Sequence, residues 1–537
     1  SMIYMPLLEE TGHMPSEKYA HAPEIRDHCS NIGAQYELYD NALFHTQVTD
    51  LEWDEKRNVW IMRTDRGDAF TAKYVGMGTG PLHVAKLPGL PGIELFQGKA
   101  FHTSRWDYGY TGGTPEGDPM TGLADKRVAI IGTGATAVQV VPNVSRDAKE
   151  LYVFQRTPSS VDERNNRPLE RDWFDSVAEP GWQRKWQENF VANLGVGFPA
   201  EDLVDDGWTD LGKRIRAQVI DMPPEQRTPE GIMAAFEDAD NQKMSEIRAR
   251  AEEIVGGETG EKLKAWYRQL CKRPCFHDEY LLSFTRPNTH LIDTNGKGVE
   301  RVTAKGVVAN GTEYEVDCIV YASGFEVGTD FTERAGYDVT GRGGQKLSEY
   351  WADGMRSFHG LHVHGFPNMF FVQQNQAAAF IANYPHNLVD HADTVACVVR
   401  HAESEGHDTV EPSEKAQSDW VEVELDGETV SAVSVRSARE ADAELATCLR
   451  EALPGSEATP TADGPMPQEM NLAILPETAA VPQDVDASTP TEMADEGLLP
   501  TLSASDAPVR TIVACADYDC PFCDHARAMR AKRGAPG

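Results

Sequence analysis

The chain has 537 residues, 40% hydrophobic and 25% charged, with a formal net charge of -35. That length can bury more than one core, since domains usually run ~100–200 residues, and the acid excess argues against nucleic acid or an anionic membrane as partner. No apolar run reaches the ~18 residues of a spanning helix, no signal peptide opens the chain, and nine scattered cysteines suit a reducing cytoplasm better than a disulfide scaffold.

Residues 23–39 place Ile25, Cys29, Ile32 and Tyr36 at helical spacing. Strand-like runs follow at 44–53 and 59–64, and a turn at Arg66-Gly67 leads into a third at 70–77. Gly76, Gly78 and Gly80 form a glycine-rich stretch, but Pro81 follows and no helical pattern does. It reads as a crossover, not a phosphate cradle. Residues 126–131 form a short buried strand, 132–145 a turn and helix, and 151–155 the next strand, the pattern of a nucleotide-binding half-unit. Residues 205–270 are mostly helical with charged faces. Strand signals return at 290–293, 299–303, 307–310, 318–322 and 370–373, and 384–405 reads as a helix. Residues 452–508 are rich in Pro, Ala, Thr, Ser, Asp and Glu, cannot bury enough apolar surface to offset chain entropy, and are expected to be disordered. The last segment, 509–537, reads as a strand followed by Cys520-Pro-Phe-Cys523 and a helix start.

Gly132-Thr133-Gly134-Ala135-Thr136-Ala137 fits G-x-G-x-x-A, and it closes a strand and opens a helix as that motif requires. Gly132 permits the tight turn, Gly134 lets a pyrophosphate approach the backbone, and Ala137 lets helix and strand pack closely. The helix N-terminus offers N–H groups and partial positive charge to phosphate. About 20 residues on, NAD-binding units place an acid for the ribose hydroxyl. This chain has Arg156 and Thr157 there. A cation suits a 2′-phosphate, so NADPH is expected.

Residues 96–107 match F-x-G-x-x-x-H-T-x-x-W-D at every fixed position: Phe96, Gly98, His102, Thr103, Trp106 and Asp107. With the 132–137 turn, Arg156-Thr157-Pro158, Cys271-Lys272-Arg273-Pro274, the run 284–288 and the run 321–325, they make residues 1–420 resemble the Baeyer–Villiger monooxygenases, within the wider flavin-containing monooxygenase group. The resemblance implies an α/β fold with two Rossmann-like dinucleotide-binding domains, one for FAD and one for NADPH, and a helical insertion. It implies a reaction in which one oxygen of O2 enters next to the carbonyl of a small-molecule ketone, giving an ester or lactone. Arg273 would be the catalytic arginine, and a permanently charged guanidinium suits developing negative charge. Lys272 would join Arg156 and Thr157 at the NADPH 2′-phosphate. Tyr4, Asn383 and Tyr384 would contact flavin or substrate. His102 and Trp106 are expected to pack a joint between domains. Cys271 and Cys275 are expected to pack, with no metal site.

The implied domains are 1–95 (part of the FAD domain), 96–325 (NADPH domain, insertion 160–270), 326–425 (return to the FAD domain), a linker at 426–508 and a fragment at 509–537. The family's FAD domain opens with its own strand, G-x-G-x-x-G and helix. None precedes residue 96, and the family's active-site aspartate would lie before Ser1. The chain therefore reads as N-terminally truncated, with FAD binding and activity expected to be impaired. A catalytically silent NADPH-binding fragment is the alternative. The Cys520 and Cys523 motif resembles the start of DsbA-like thioredoxin-fold proteins, which would make the chain a thiol–disulfide oxidoreductase, or else this end is a remnant or a metal half-site.

Overall fold

A computed structural model describes residues 1–80, 82–194, 199–372 and 383–420, with the strands Glu422–Asp426, Thr429–Val435, Gln468–Glu469 and Val513–Cys515. Cys520, Cys523 and the expected linker, apart from those strands, lie outside the described residues.

In chain order, helix α1 (Ala22–Gln35) precedes an antiparallel meander of β1 (Val48–Asp54), β2 (Val59–Thr64) and β3 (Ala69–Ala72). Strand β4 (Val75–Met77) then crosses to a second unit holding β5 (Lys99–His102), β6 (Arg127–Ile131), α2 (Ala135–Asp147) and β7 (Glu150–Gln155). Helices α3 (Trp182–Leu194), α4 (Asp210–Asp221) and α5 (Pro229–Ile254) follow. Strands β8 (Thr289–Asp293) and β9 (Cys318–Tyr321) return to this unit. Strands β10 (Val339–Thr340) and β11 (Met369–Phe371) and helix α6 (Tyr384–Ser404) return to the first.

The second unit is a five-stranded parallel sheet in the order β8-β7-β6-β9-β5. Its strands are apolar on both faces, as a covered parallel sheet requires. Alternation then sorts each strand between two cores. Val128, Ile130, Leu151, Val153 and Val320 pack with Val138, Val141 and Val144 of α2. Ala129, Ile131, Phe154, Ile319 and Tyr321 face the other way, onto Val302, Val307 and Val316. The residues on that face belong to a small antiparallel sheet of Arg301–Val302, Gly306–Ala309 and Thr312–Glu315, and to the turn that follows it.

The first unit has its own core, with Leu51, Trp53, Trp60, Val339, Trp351 and Phe371 buried together. Strand β10 extends the meander beside β1, and β4 pairs in parallel with β11. The expected single strand at 70–77 is therefore two, belonging to different sheets. Among the described residues no helix is long and apolar enough to cross a membrane.

Candidate active site

Strand β6 delivers the chain to Gly132, whose φ of 116° lies where side chains are rarely tolerated. A Cβ there would meet the Ala322 carbonyl oxygen at 2.5 Å. Gly134 precedes α2, and a Cβ on it would meet nothing within 4 Å, so backbone and open space face each other where a pyrophosphate would lie. Ala137 is fully buried against the sheet. The turn is fixed from behind: the buried Thr133 hydroxyl donates to the Thr157 carbonyl at 3.0 Å, and the Ser159 hydroxyl donates to the Thr133 carbonyl at 2.6 Å. Ala135 and Thr136 supply the first turn of the helix, half-buried.

Arg156 and Thr157 stand exposed just past β7. The Lys272 ammonium donates to the Thr157 hydroxyl and rests 4.9 Å over the Tyr267 ring. Burial, and then the neighbouring Arg156 charge, hold Lys272 below the usual lysine range. Two like charges brought this close gain from an anion set between them. The Tyr267 hydroxyl donates to the Pro158 carbonyl at 2.8 Å and accepts from the Ser160 N–H at 3.1 Å. One aromatic side chain thus pins both the loop and the ammonium. Tyr267 carried no sequence signal, being an aromatic in an irregular segment.

Arg273 leaves the same strand-like segment in another direction. Its guanidinium stacks 5.2 Å over the Trp208 ring and lines a cavity of about 460 Å³. Tyr4, Asn383 and the α2 residues Ala135, Val138 and Gln139 line it too, so the cavity adjoins the N-terminus of α2. Asn383 is 2% exposed; its amide donates to the Ile3 carbonyl at 2.5 Å while its side-chain oxygen is buried and unpartnered. Tyr384 begins α6; burial raises its hydroxyl, with Arg334 and Tyr4 the charges nearby, but it is not a wall residue. Cys271 is exposed and Cys275 buried, both free, and burial raises the Cys275 thiol. Among the described residues no His, Cys, Asp and Glu group could hold a metal.

The 96–107 motif forms the corner that brings the chain into this unit. Phe96 packs on the second core, and a Cβ on Gly98 would meet the Asp317 carbonyl oxygen at 2.7 Å. His102 ends β5, 5% exposed, bonded to the Ser104 hydroxyl at 2.8 Å and edge-on to Phe325. Burial holds its imidazole below the usual range. Thr103 starts a short turn, Trp106 packs edge-on against Phe101 and donates to the Thr111 hydroxyl at 3.0 Å, and Asp107 accepts from the Tyr110 N–H at 3.0 Å. All six residues hold a backbone corner.

The donor set fits NADPH: a glycine turn, an open helix N-terminus and two cations beyond the second strand. FAD fits in part. Tyr4 and the orphaned Asn383 oxygen offer polar contacts at the cavity, but the described residues hold no second strand, glycine turn and helix for its pyrophosphate. Cβ atoms on Gly76, Gly78 and Gly80 would meet open space, with no helix following.

A doubly wound unit with a glycine turn at a helix N-terminus is a dinucleotide-binding fold, and a cavity lined by Arg273 adjoins it. No family model matches the chain. It is 50% identical over 426 residues to pentalenolactone D synthase of Streptomyces arenae, covering 79% of this chain and 72% of that protein. It is 46% identical over 426 residues to a Baeyer–Villiger monooxygenase of Streptomyces coelicolor, covering 78% and 69%. Among solved structures, the polycyclic ketone monooxygenase of Thermothelomyces thermophila superposes with a TM-score of 0.70 at 37% identity, covering 78% of this chain and 69% of that one. The chain belongs to the Baeyer–Villiger monooxygenases, flavin-dependent enzymes that use FAD, NADPH and O2 on ketones.

Proposed function

We propose that Lys272 and Arg273, adjacent in sequence, serve two compartments of one Baeyer–Villiger site. The observation that carries this is their divergence: Lys272 meets Thr157 beside Arg156, and Arg273 lines the cavity over Trp208. Arg156, Thr157 and Lys272 hold the 2′-phosphate of NADPH by charge-assisted hydrogen bonds. Gly132 to Ala137 receive its pyrophosphate on the start of α2. Bound together, NADPH supplies hydride and FAD the centre at which oxygen is activated. Arg273 donates hydrogen bonds to the oxyanion that develops on the ketone oxygen, and the apolar walls keep water from weakening that contact. Tyr4 and Asn383 orient flavin or ketone from the wall, with Tyr384 beside Asn383 at the start of α6.

The test separates the two roles. Lys272→Ala should weaken NADPH binding by roughly 10- to 100-fold, the loss of one charge-assisted bond of ~1.5–3 kcal/mol. Arg273→Ala should leave NADPH affinity within about twofold and, in FAD-loaded enzyme, abolish ester formation. Full turnover by the Arg273 variant would contradict its role.

A further inference from the structure

Lys272 and Arg156 repel each other, and among the described residues neither forms an ion pair with a carboxylate. Something other than a counter-charge must hold the ammonium before a phosphate arrives. Two contacts do so: the Thr157 hydroxyl, which accepts from it, and the face of the Tyr267 ring, 4.9 Å away. The face of an aromatic ring attracts a cation without neutralising it, so the full charge stays available to an anion. A side chain already held in place loses less freedom when the ligand binds.

The other end of Tyr267 acts on the loop after β7. Burial pushes its hydroxyl up to about 12, so it keeps its proton and donates to the Pro158 carbonyl at 2.8 Å. The same oxygen accepts from the Ser160 N–H at 3.1 Å. Between those two residues, Ser159 donates through its hydroxyl to the Thr133 carbonyl at 2.6 Å, and the Thr133 hydroxyl donates to the Thr157 carbonyl at 3.0 Å. Thr133 stands between Gly132 and Gly134. Tyr267 therefore reaches both halves of the dinucleotide site: its ring lies against the cation, and its hydroxyl holds the loop that backs the glycine turn.

We propose that Tyr267 is a positioning residue that sets the preference for NADPH over NADH: its ring places Lys272 for the 2′-phosphate, and its hydroxyl aligns the 158–160 loop behind the pyrophosphate cradle. The two dinucleotides differ only in the 2′-phosphate. The ring therefore acts on NADPH alone, while the hydroxyl acts on both. The inference rests on the NADPH site proposed above.

The full chain is titrated with NADPH and with NADH, followed by nicotinamide fluorescence, alongside thermal melts. Tyr267→Phe keeps the ring and loses the hydroxyl, so both dinucleotides should weaken alike, by roughly 2- to 10-fold, with the ratio of their affinities kept. Tyr267→Leu loses the ring as well: NADPH should weaken by a further factor of roughly 3 to 10, while NADH stays at the level of Tyr267→Phe. Tyr267→Met, which fills similar space without a π face, is read in the same way should the leucine variant unfold. In a Lys272→Ala background the ring has no ammonium to place, so Tyr267→Leu should cost NADPH no more than Tyr267→Phe does. An unchanged NADPH to NADH ratio in Tyr267→Leu and Tyr267→Met, with Lys272→Ala still weakening NADPH, would overturn the inference and leave the cofactor site standing. A ratio lost equally with and without Lys272 would overturn it too, since the ring would then act through something else. NADPH affinity unmoved by Lys272→Ala alone would instead remove the cofactor site on which the inference rests.

Discussion

Gly132 and Gly134 stand two positions apart and should fail differently when a methyl is added. Gly132→Ala puts a Cβ 2.5 Å from the Ala322 carbonyl at positive φ, so about 1–3 kcal/mol of stability should be lost. Gly134→Ala meets nothing in the protein. Its melting temperature should hold, while NADPH affinity falls roughly 10-fold, because the methyl occupies the approach of the pyrophosphate. Parallel thermal melts and NADPH titrations check both. If Gly134→Ala bound NADPH normally, the turn would not be the cradle. These glycines were legible in the sequence because a fixed spacing sits between a strand and a helix. Trp208 and Tyr267 were not: Trp208 acts through Arg273, far away in sequence, while Tyr267 holds nearby Lys272 and the distant loop at Pro158 and Ser160, and no periodicity marks either.

At the scale of elements, long apolar or periodic segments were readable. The strand at 151–155, the helix at 384–405 and the helical stretch at 205–270 correspond to β7, α6 and α4 with α5. The strand Thr312–Glu315 was missed because three of its four residues are exposed and it shows no apolar alternation. The run 70–77 was joined wrongly because apolar content says nothing about which sheet a residue enters. Lys73 and Tyr74, at the break, instead bond Glu403 of α6 at 2.6 and 2.8 Å. The helical elements are tied to the strand before them by a buried network. Lys243 of α5, its side chain 9% exposed, lies 2.5 Å from Asp162 and 2.9 Å from Asp210 of α4. Hydrogen bonding to Asp162 raises the Lys243 ammonium although burial alone would lower it. Lys243→Met strands the Asp162 carboxylate, while Asp210 keeps Arg214 at 3.1 Å, and should destabilise by about 3–5 kcal/mol in urea unfolding. A loss below about 1 kcal/mol would show that water reaches this network.

For the whole molecule, acid should act on the first unit through His362. The ring is 7% exposed, packs edge-on against Phe370, and is pushed down to about 3 by burial, with His359 and His391 adding like charge. Unfolded, the imidazole takes a proton below about 6.5; folded, it resists until about 3. Stability from this group is therefore complete above about 6.5 and is lost as pH falls through that window. Between pH 7 and pH 5 the loss should be about 2 kcal/mol, and His362→Phe should remove most of it. An unchanged pH dependence in that variant would place acid sensitivity elsewhere. The family was legible at this scale chiefly through the 96–107 corner and the order of the later motifs, because a corner built from particular residues, Gly98 among them, leaves a fixed spacing.

The Gly132–Arg156–Lys272 unit, as an NADPH site beside a Baeyer–Villiger cavity, is tested by titrating the full chain with NADPH and with NADH. NADPH should bind roughly 10- to 100-fold more tightly than NADH, and Arg156→Ala should erase that preference by weakening NADPH alone, since one charge-assisted bond is worth ~1.5–3 kcal/mol. Equal affinities of the unmutated chain for the two dinucleotides would contradict it.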